Sequence, residues 1–388
     1  MPQPTPLIQS IRKILAPYKS LVKKSASGVL KYDYLVPGGP YDEQWDWDAF
    51  FMGMALAAED PNEATYLRNV VLNMLENAQP NGFVPGCITP QGADPRLNQV
   101  KPFVAQAAYF ASTFLGDFGW IAPHYEILKR VVGYRQKHLW SKKYDLAVWF
   151  NSMESGIDDN VAALDFPEMS VIGADCNAYI FREYTALALI AQKLKKSSDA
   201  RTFSYRAKAM KSNINRYLWN SRDETYYNLF APQGTHIERI VISNFMPLWA
   251  GIASPDQGKR MIRRYLINTN HLWSMYGIRS LSKRDKQYNN VNKIKPHSNW
   301  QGPVWPIANY LCMHALLNYG FQKEAVEVAE TITRLVLRDI ESSGGMHENY
   351  DAETGIPLAA PNFISWNLLV GNMLTEAQSS QNPFLLGA

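Results

Sequence analysis

Four stretches of the chain gather carboxylates among aromatic and amide side chains. PGGPYDEQWDWDAFF, residues 37–51, sets Tyr41, Trp45, Trp47 and Asp48 at the start of a helical pattern. Aromatic faces stack on the apolar face of a sugar ring, and an aspartate accepts hydrogen bonds from hydroxyls. WFNSMESGIDDN, residues 149–160, holds Glu154, Asp158 and Asp159 around Ser155-Gly156. A flexible glycine there suits a loop that approaches a ligand. HSNWQGPVWP, residues 297–306, offers Trp300 and Trp305 with Gln301 between them and a helix following. GGMHENYDAETG, residues 344–355, places Glu348 between His347 and Asn349 and ahead of Tyr350. Amide, imidazole and phenol neighbours can hold such an acid in one orientation. Each stretch also has a plain structural alternative: core tryptophans, Asp46 or Asp48 as a helix cap, a solvated acidic turn, or a polar loop.

Two distant acids flanked by tryptophan, with no metal or phosphate motif, suit cleavage of a glycosidic bond. That reaction needs one carboxyl with a raised pKa to protonate the leaving oxygen. A second either activates water or attacks the sugar. Asp158 and Glu348 are the natural pair, and only folding can bring them together across the intervening sequence.

Helices must do the positioning. Phe203, Ala207, Met210, Ile214 and Leu218 follow the three-to-four spacing of one apolar face, and so do Ala325, Val328, Ile332 and Leu335. Ser198 and Asp199 can cap the first of these. Further helices are expected over 46–59, 63–77, 102–115, 124–139, 174–195, 256–267, 304–319 and 363–377. Thr225–Phe230 and Ile237–Ile242 read as one β-hairpin. The helices come in consecutive pairs joined by short turns, a repeat of shape that fits either a closed ring or an open solenoid. The informative loops are long, at 33–48, 78–101, 149–170, 269–303 and 341–362, and loops of that length in a compact domain carry function. No linker divides the chain, so residues 1–388 are expected as one domain with an N-terminal extension over about 1–30.

Composition sets the bounds. Of 388 residues, 46% are hydrophobic and 19% charged, which is globular and not disordered. Lys and Arg number 39 against 35 Asp and Glu, scattered along the chain, so nucleic acid is not an expected partner. Cys87, Cys176 and Cys312 form no disulfide framework and no zinc pattern. No cofactor and no metal is expected. The N-terminus lacks the apolar core of a signal peptide, and no apolar run spans a bilayer, so a cytoplasmic address with no membrane partner is expected. A homo-oligomer is allowed.

At the four stretches the sequence resembles the trehalase-like clan of glycoside hydrolases. It is most similar to family 63, and within it to the mannosylglycerate and glucosylglycerate hydrolases of bacteria and plants. Residues 37–51 resemble the signature that begins Pro-Gly-Gly and ends Trp-Asp-Ser-Tyr-Phe. Glu154-Ser155-Gly156-Ile157-Asp158 resembles Glu-Ser-Gly-x-Asp, whose aspartate is the general acid. Residues 297–306 resemble the Gln-Trp-Asp-x-Pro-x-x-Trp region, and Glu348-Asn349-Tyr350-Asp351 resembles the Glu-Lys-Tyr-Asp region that supplies the general base. The order of all four agrees with the family, over about residues 33–377.

The resemblance implies an all-α (α/α)6 barrel, six inner and six outer helices closed into a ring with a pocket at one end. It implies inversion, with Asp158 as acid and Glu348 as base. It places Tyr41, Trp45, Trp47, Asp48, Gln106, Trp300, Gln301 and Trp305 around the sugar, with Asn151 and Arg182 as further candidates and Arg182 suited to a glycerate carboxylate. The substrate implied is a small α-glucoside or α-mannoside, with the compatible solutes glucosylglycerate and mannosylglycerate as named candidates. The alternatives are a trehalase- or invertase-like hydrolase, a sugar-binding ring without catalysis, and an epimerase or isomerase using His297 or His347. Pro40-Tyr41 replaces the trehalase Arg-Phe, PLAAPNFISW replaces its glycine-rich segment, and Asn299-Trp300-Gln301 lacks its aspartate, all of which count against trehalose. At this length the additional β-sandwich of larger family members is not expected.

Overall fold

A computed structural model describes residues 6–93, 98–295 and 297–387. The first residues of the expected N-terminal extension and parts of the loops 78–101 and 269–303 lie outside the described residues. Helices run in chain order as α1 (Pro6–Leu21), α2 (Asp46–Glu59), α3 (Ala64–Glu76), α4 (Val104–Leu115), α5 (Tyr125–His138) and α6 (Ser152–Ser155). They continue as α7 (Ala174–Lys193), α8 (Ser197–Tyr217), α9 (Met246–Trp249), α10 (Pro255–Met261), α11 (Pro306–Asn318), α12 (Gln322–Ser343) and α13 (Val370–Ser379).

Burial separates these into two layers. In α2, 12 of 14 residues are buried, and in α11, 11 of 13. A helix apolar on all sides belongs inside. In α8 only 5 of 21 are buried, Ala200, Phe203, Ala207, Met210 and Ile214, and they form the single stripe read from the sequence. The inner helices α2, α4, α7, α9, α11 and α13 touch in succession, and α13 returns to α2, which closes the ring. α1, α3, α5, α8, α10 and α12 alternate with them along the chain as the outer layer. The expected (α/α)6 barrel is the fold.

Several details differ from the sequence reading. The N-terminal stretch contributes an outer helix: Ile8, Ile11 and Leu15 of α1 are buried, and Arg12 reaches Gly371 O and Thr375 Oγ1 on α13. α8 begins at Ser197 without a side-chain cap, because the Asp199 carboxylate instead takes the Tyr125 hydroxyl and Lys129. The expected hairpin is shorter. Asn228–Phe230 pairs with Thr235–Ile237, whereas Thr225–Tyr226 turns back onto Trp219–Asn220. No described helix is long and apolar enough to cross a membrane.

The N-terminal ends of the inner helices carry the long loops and form the mouth of the ring. Their C-terminal ends form the base. There the segment after α13 folds back and inserts Phe384, fully buried, against the rings of Phe50, Phe51, Phe110, Trp249, Tyr310 and His314.

Candidate active site

The first wall of the mouth is the start of α2. Asp46 is a structural acid. Its carboxylate accepts from the Trp47 N–H at 2.6 Å, the Lys101 N–H at 2.7 Å and Lys101 Nζ at 3.1 Å. This draws Lys101 against the Trp47 ring, 5.4 Å from its centroid. Asp48 instead faces the cavity and accepts from Ser365 Oγ at 2.7 Å. Burial pushes its pKa up to about 7 against the opposing pull of that hydrogen bond and of Lys101.

The second wall is the loop around α6, where three acids have three different fates. Glu154 is buried, accepts the Phe150 N–H at 2.6 Å and pairs with Arg135 at 3.2 Å. Asp159 is buried, accepts the Trp300 N–H at 2.6 Å and pairs with Lys293 at 2.6 Å. Asp158 has no ion-pair partner among the described residues and faces the cavity, with the Ser298 N–H donating to Oδ2 at 3.2 Å. Burial raises its pKa to about 6, opposed by that hydrogen bond and by Lys101. Gly156 makes this approach possible. It sits at φ 79°, and a Cβ there would lie 2.8 Å from Trp47 Cζ2 and from Lys101 Cε.

The third wall is the segment into α11. The Trp300 and Trp305 rings lie parallel, 3.7 Å apart at 5°, with Trp305 Nε1 donating to Asn299 O. Trp47 and Trp366 complete the aromatic floor.

The fourth wall carries Glu348. One carboxylate on α12, Asp339, accepts from the His347 N–H at 2.9 Å, from His347 Nδ1 at 3.0 Å and from the Tyr350 hydroxyl at 2.8 Å. His347 and Tyr350, on either side of the Glu348-Asn349 pair, are thereby fixed to one anchor. Ser298 Oγ donates to Glu348 Oε2 at 3.5 Å, so a single residue touches both Asp158 and Glu348. Burial drives the Glu348 pKa up to about 8, and the charges of Asp158 and Asp48 add to it.

These walls enclose a cavity of about 250 Å³. Of the twelve expected site residues, it is lined by Asp158, Glu348, Tyr41, Trp45, Trp47, Asp48, Trp300 and Trp305. The other four stand behind the wall or far from it. Asn151 caps α6 through Glu154 N and accepts from Asn98. Gln301 reaches Asp159 O and Asn289. Gln106 is fully buried between α4 and α7, bonded to Pro102 O and Arg182. Arg182 lies at the base, over the Trp249 ring. Neither His297 nor His347 is on the wall: His297 Nδ1 meets Met153 Sδ, and His347 is held by Asp339.

The sequence reading missed Lys101, Ser298, Met153, Ile294, Lys295, Phe363 and Trp366 on the wall. Trp366 could have been found as a further tryptophan in the segment that closes the ring, whereas Lys101 and Ser298 carry no motif of their own. Among the described residues no group of three His, Cys, Asp or Glu side chains is placed to hold a metal.

The family model for the mannosylglycerate hydrolase MGH1-like glycoside hydrolase domain matches residues 41–366. The chain is 27% identical over 180 residues to the mannosylglycerate hydrolase of Rubrobacter radiotolerans, covering 46% of this chain and 38% of the relative. It is 24% identical over 283 residues to a probable mannosyl-oligosaccharide glucosidase of Schizosaccharomyces pombe, covering 69% and 33%. The chain thus spans about a third of the length of the curated relatives it matches. Among solved structures, the family 63 mannosylglycerate hydrolase of Thermus thermophilus in complex with glucose superposes with a TM-score of 0.71 at 16% identity, over 96% of this chain and all of that one. At that identity the likeness shows the fold.

Proposed function

We propose, for a chain that belongs to the mannosylglycerate hydrolase MGH1-like glycoside hydrolases, that the cavity at the mouth hydrolyses a small α-glucoside or α-mannoside with inversion at the anomeric carbon. One observation carries this reading: Asp158 and Glu348, distant in sequence, face one aromatic-walled cavity and share Ser298. Asp158 gives its proton to the glycosidic oxygen as that bond breaks. Glu348 takes a proton from a water that attacks the anomeric carbon from the opposite face, and sugar and aglycone leave as two free hydroxyl compounds. Trp300, Trp305, Trp47 and Trp366 offer the stacking floor for the sugar. Asp48 accepts hydroxyl hydrogen bonds, and Tyr41, whose pKa is pushed up by burial and three cavity carboxylates, stays protonated as a donor.

Burial, and then the charges of Asp158 and Asp48, push the Glu348 pKa further up than that of Asp158, which by itself favours the proton on Glu348. A bound glycoside reverses this preference. Its bridging oxygen can only accept a hydrogen bond, which favours protonated Asp158, while the water beside Glu348 donates and favours the carboxylate.

The wall also includes Met153, Gly156, Ile294 and Lys295. Lys295 is the cation available to a carboxylate on the aglycone, the role expected of Arg182. A cavity just under the roughly 300–1,000 Å³ of common small-molecule pockets suits a short substrate, and mannosylglycerate and glucosylglycerate are the proposed ones. Two free hydrolysis acids and the absence of histidine from the wall support hydrolysis over epimerisation. Three buried, unpaired cysteines fit a cytoplasmic address. Incubation with mannosylglycerate, glucosylglycerate, trehalose and sucrose, with products separated and identified, tests the reading. Release of a hexose and glycerate is expected, and cleavage of trehalose or sucrose alone would replace it with the disaccharide alternative.

A further inference from the structure

A second cavity, of about 640 Å³, opens at the base of the ring between α7, α9 and α11. Its lining includes Arg182, which is only 5% exposed. The guanidinium lies 4.2 Å over the Trp249 ring. Nε donates to Gln106 Oε1 at 2.7 Å and Nη2 to the Phe384 carbonyl at 2.5 Å. Among the described residues nothing accepts from Nη1, and no carboxylate pairs with the group. The adjacent acid, Glu183, directs its two oxygens to the N–H groups of Ala105 and Gln106 instead. Burial lowers the Arg182 pKa to about 9, against the weaker opposing pull of the Glu183 charge. A buried cation without an ion-pair partner is costly, and two other buried guanidinium groups, Arg135 and Arg279, each have a glutamate, at 3.2 Å and 2.9 Å.

The surroundings repeat the imbalance. Lys259, exposed at the rim, is a second cation on the lining, and none of the described lining residues is Asp or Glu. Trp249, Tyr319, Phe181 and Leu385 supply flat and apolar wall.

We infer that the base cavity binds a small organic oxyanion, its carboxylate or phosphate head at Arg182 and Lys259 and its apolar or ring-shaped body against Trp249 and Tyr319. The head would complete the bonding of a guanidinium already oriented by Gln106 and Phe384, in the fork geometry that arginine offers to oxyanions. The site lies at the opposite end of the ring from Asp158 and Glu348, so it stands or falls independently of the hydrolysis reading.

Calorimetric titration of the whole chain with phenyl phosphate, benzoate and inorganic phosphate tests this, with sodium chloride at matched ionic strength as control. Saturable heat from phenyl phosphate or benzoate is expected, inorganic phosphate binding more weakly and chloride not at all. The stronger of the two aromatic anions identifies the head group. Thr185→Glu, three residues along α7 from Arg182 and on the same wall, supplies an internal carboxylate. It should weaken binding at least about tenfold while raising the melting temperature of the unliganded chain. Lys259→Gln, at the exposed rim, should weaken binding several-fold without touching the fold. No saturable heat in the unaltered chain, or equal binding in both variants, would overturn the proposal.

Discussion

Asp48, Asp158 and Glu348 line the cavity at the mouth and Glu376 lies on α13 at the base, yet their partners differ. Glu376 accepts from the Tyr310 hydroxyl at 2.8 Å and from His314 Nε2 at 2.9 Å, beneath the Phe384 plug. The three mouth acids have no ion-pair partner among the described residues, and all three pKa values are raised. Around them the structure spends cations on other acids: Lys101 on Asp46, Arg135 on Glu154, Lys293 on Asp159. Glu376 is bonded as a structural acid, whereas on the proposed reading the mouth acids serve proton transfer. Carboxyls deprived of counter-charge inside a cavity are what acid–base chemistry near neutral pH requires.

The sharpest break of this contrast is at the mouth. Glu348→Gln and Asp158→Asn should each lower kcat by about 10²–10⁴-fold with the fold intact, as read by steady-state kinetics and circular dichroism. The two should separate on leaving group. An aryl glycoside with an acidic phenol needs little protonation, so it should restore much of the activity of Asp158→Asn and none of that of Glu348→Gln. At the base the effect should fall on stability. Phe384→Ala removes a ring packed against six others and should cost about 3–5 kcal/mol in denaturant unfolding while kcat at low temperature is unchanged.

A third contrast is pH. Hydrolysis needs one proton shared between Asp158 and Glu348, so kcat/KM should be bell-shaped, with limbs near the pKa values of about 6 and about 8. For stability the sign follows from folded values raised above unfolded ones. The native site binds more protons than the unfolded chain, so it is penalised as pH rises from about 4 through 8. Glu348→Gln should therefore stabilise the chain more at pH 8 than at pH 5, as measured by melting temperature. An equal effect at both would mean Glu348 ionises freely. The smallest effect should come from the rim. Lys295→Gln should raise KM by about tenfold for a substrate with an anionic aglycone and leave a neutral one unchanged.

Much of this was legible in the sequence because local pattern and site coincide there. Trp47 and Asp48 begin a helix whose apolar run marks it as inner, and Asp158 and Glu348 lie in loops whose composition serves no helix. The layer pattern of α8 and α12 follows from one apolar stripe each. Arg182 and Gln106 misled because each sits in a helix beside a plausible motif, yet a helix presents its residues around its full circumference, and only packing shows that these two face each other between α4 and α7, away from the mouth. Lys101 and Ser298 were invisible because their roles come from long-range partners, Asp46 for one and Asp158 with Glu348 for the other. Phe384 was missed because a plug needs no periodicity.

The most direct test of the central claim is the anomer of the first-formed sugar, followed by proton NMR during hydrolysis of an α-glucoside or α-mannoside. A water activated by Glu348 opposite the bond protonated by Asp158 releases the β-anomer first, which then mutarotates. Initial release of the α-anomer would contradict that arrangement of the two carboxyls.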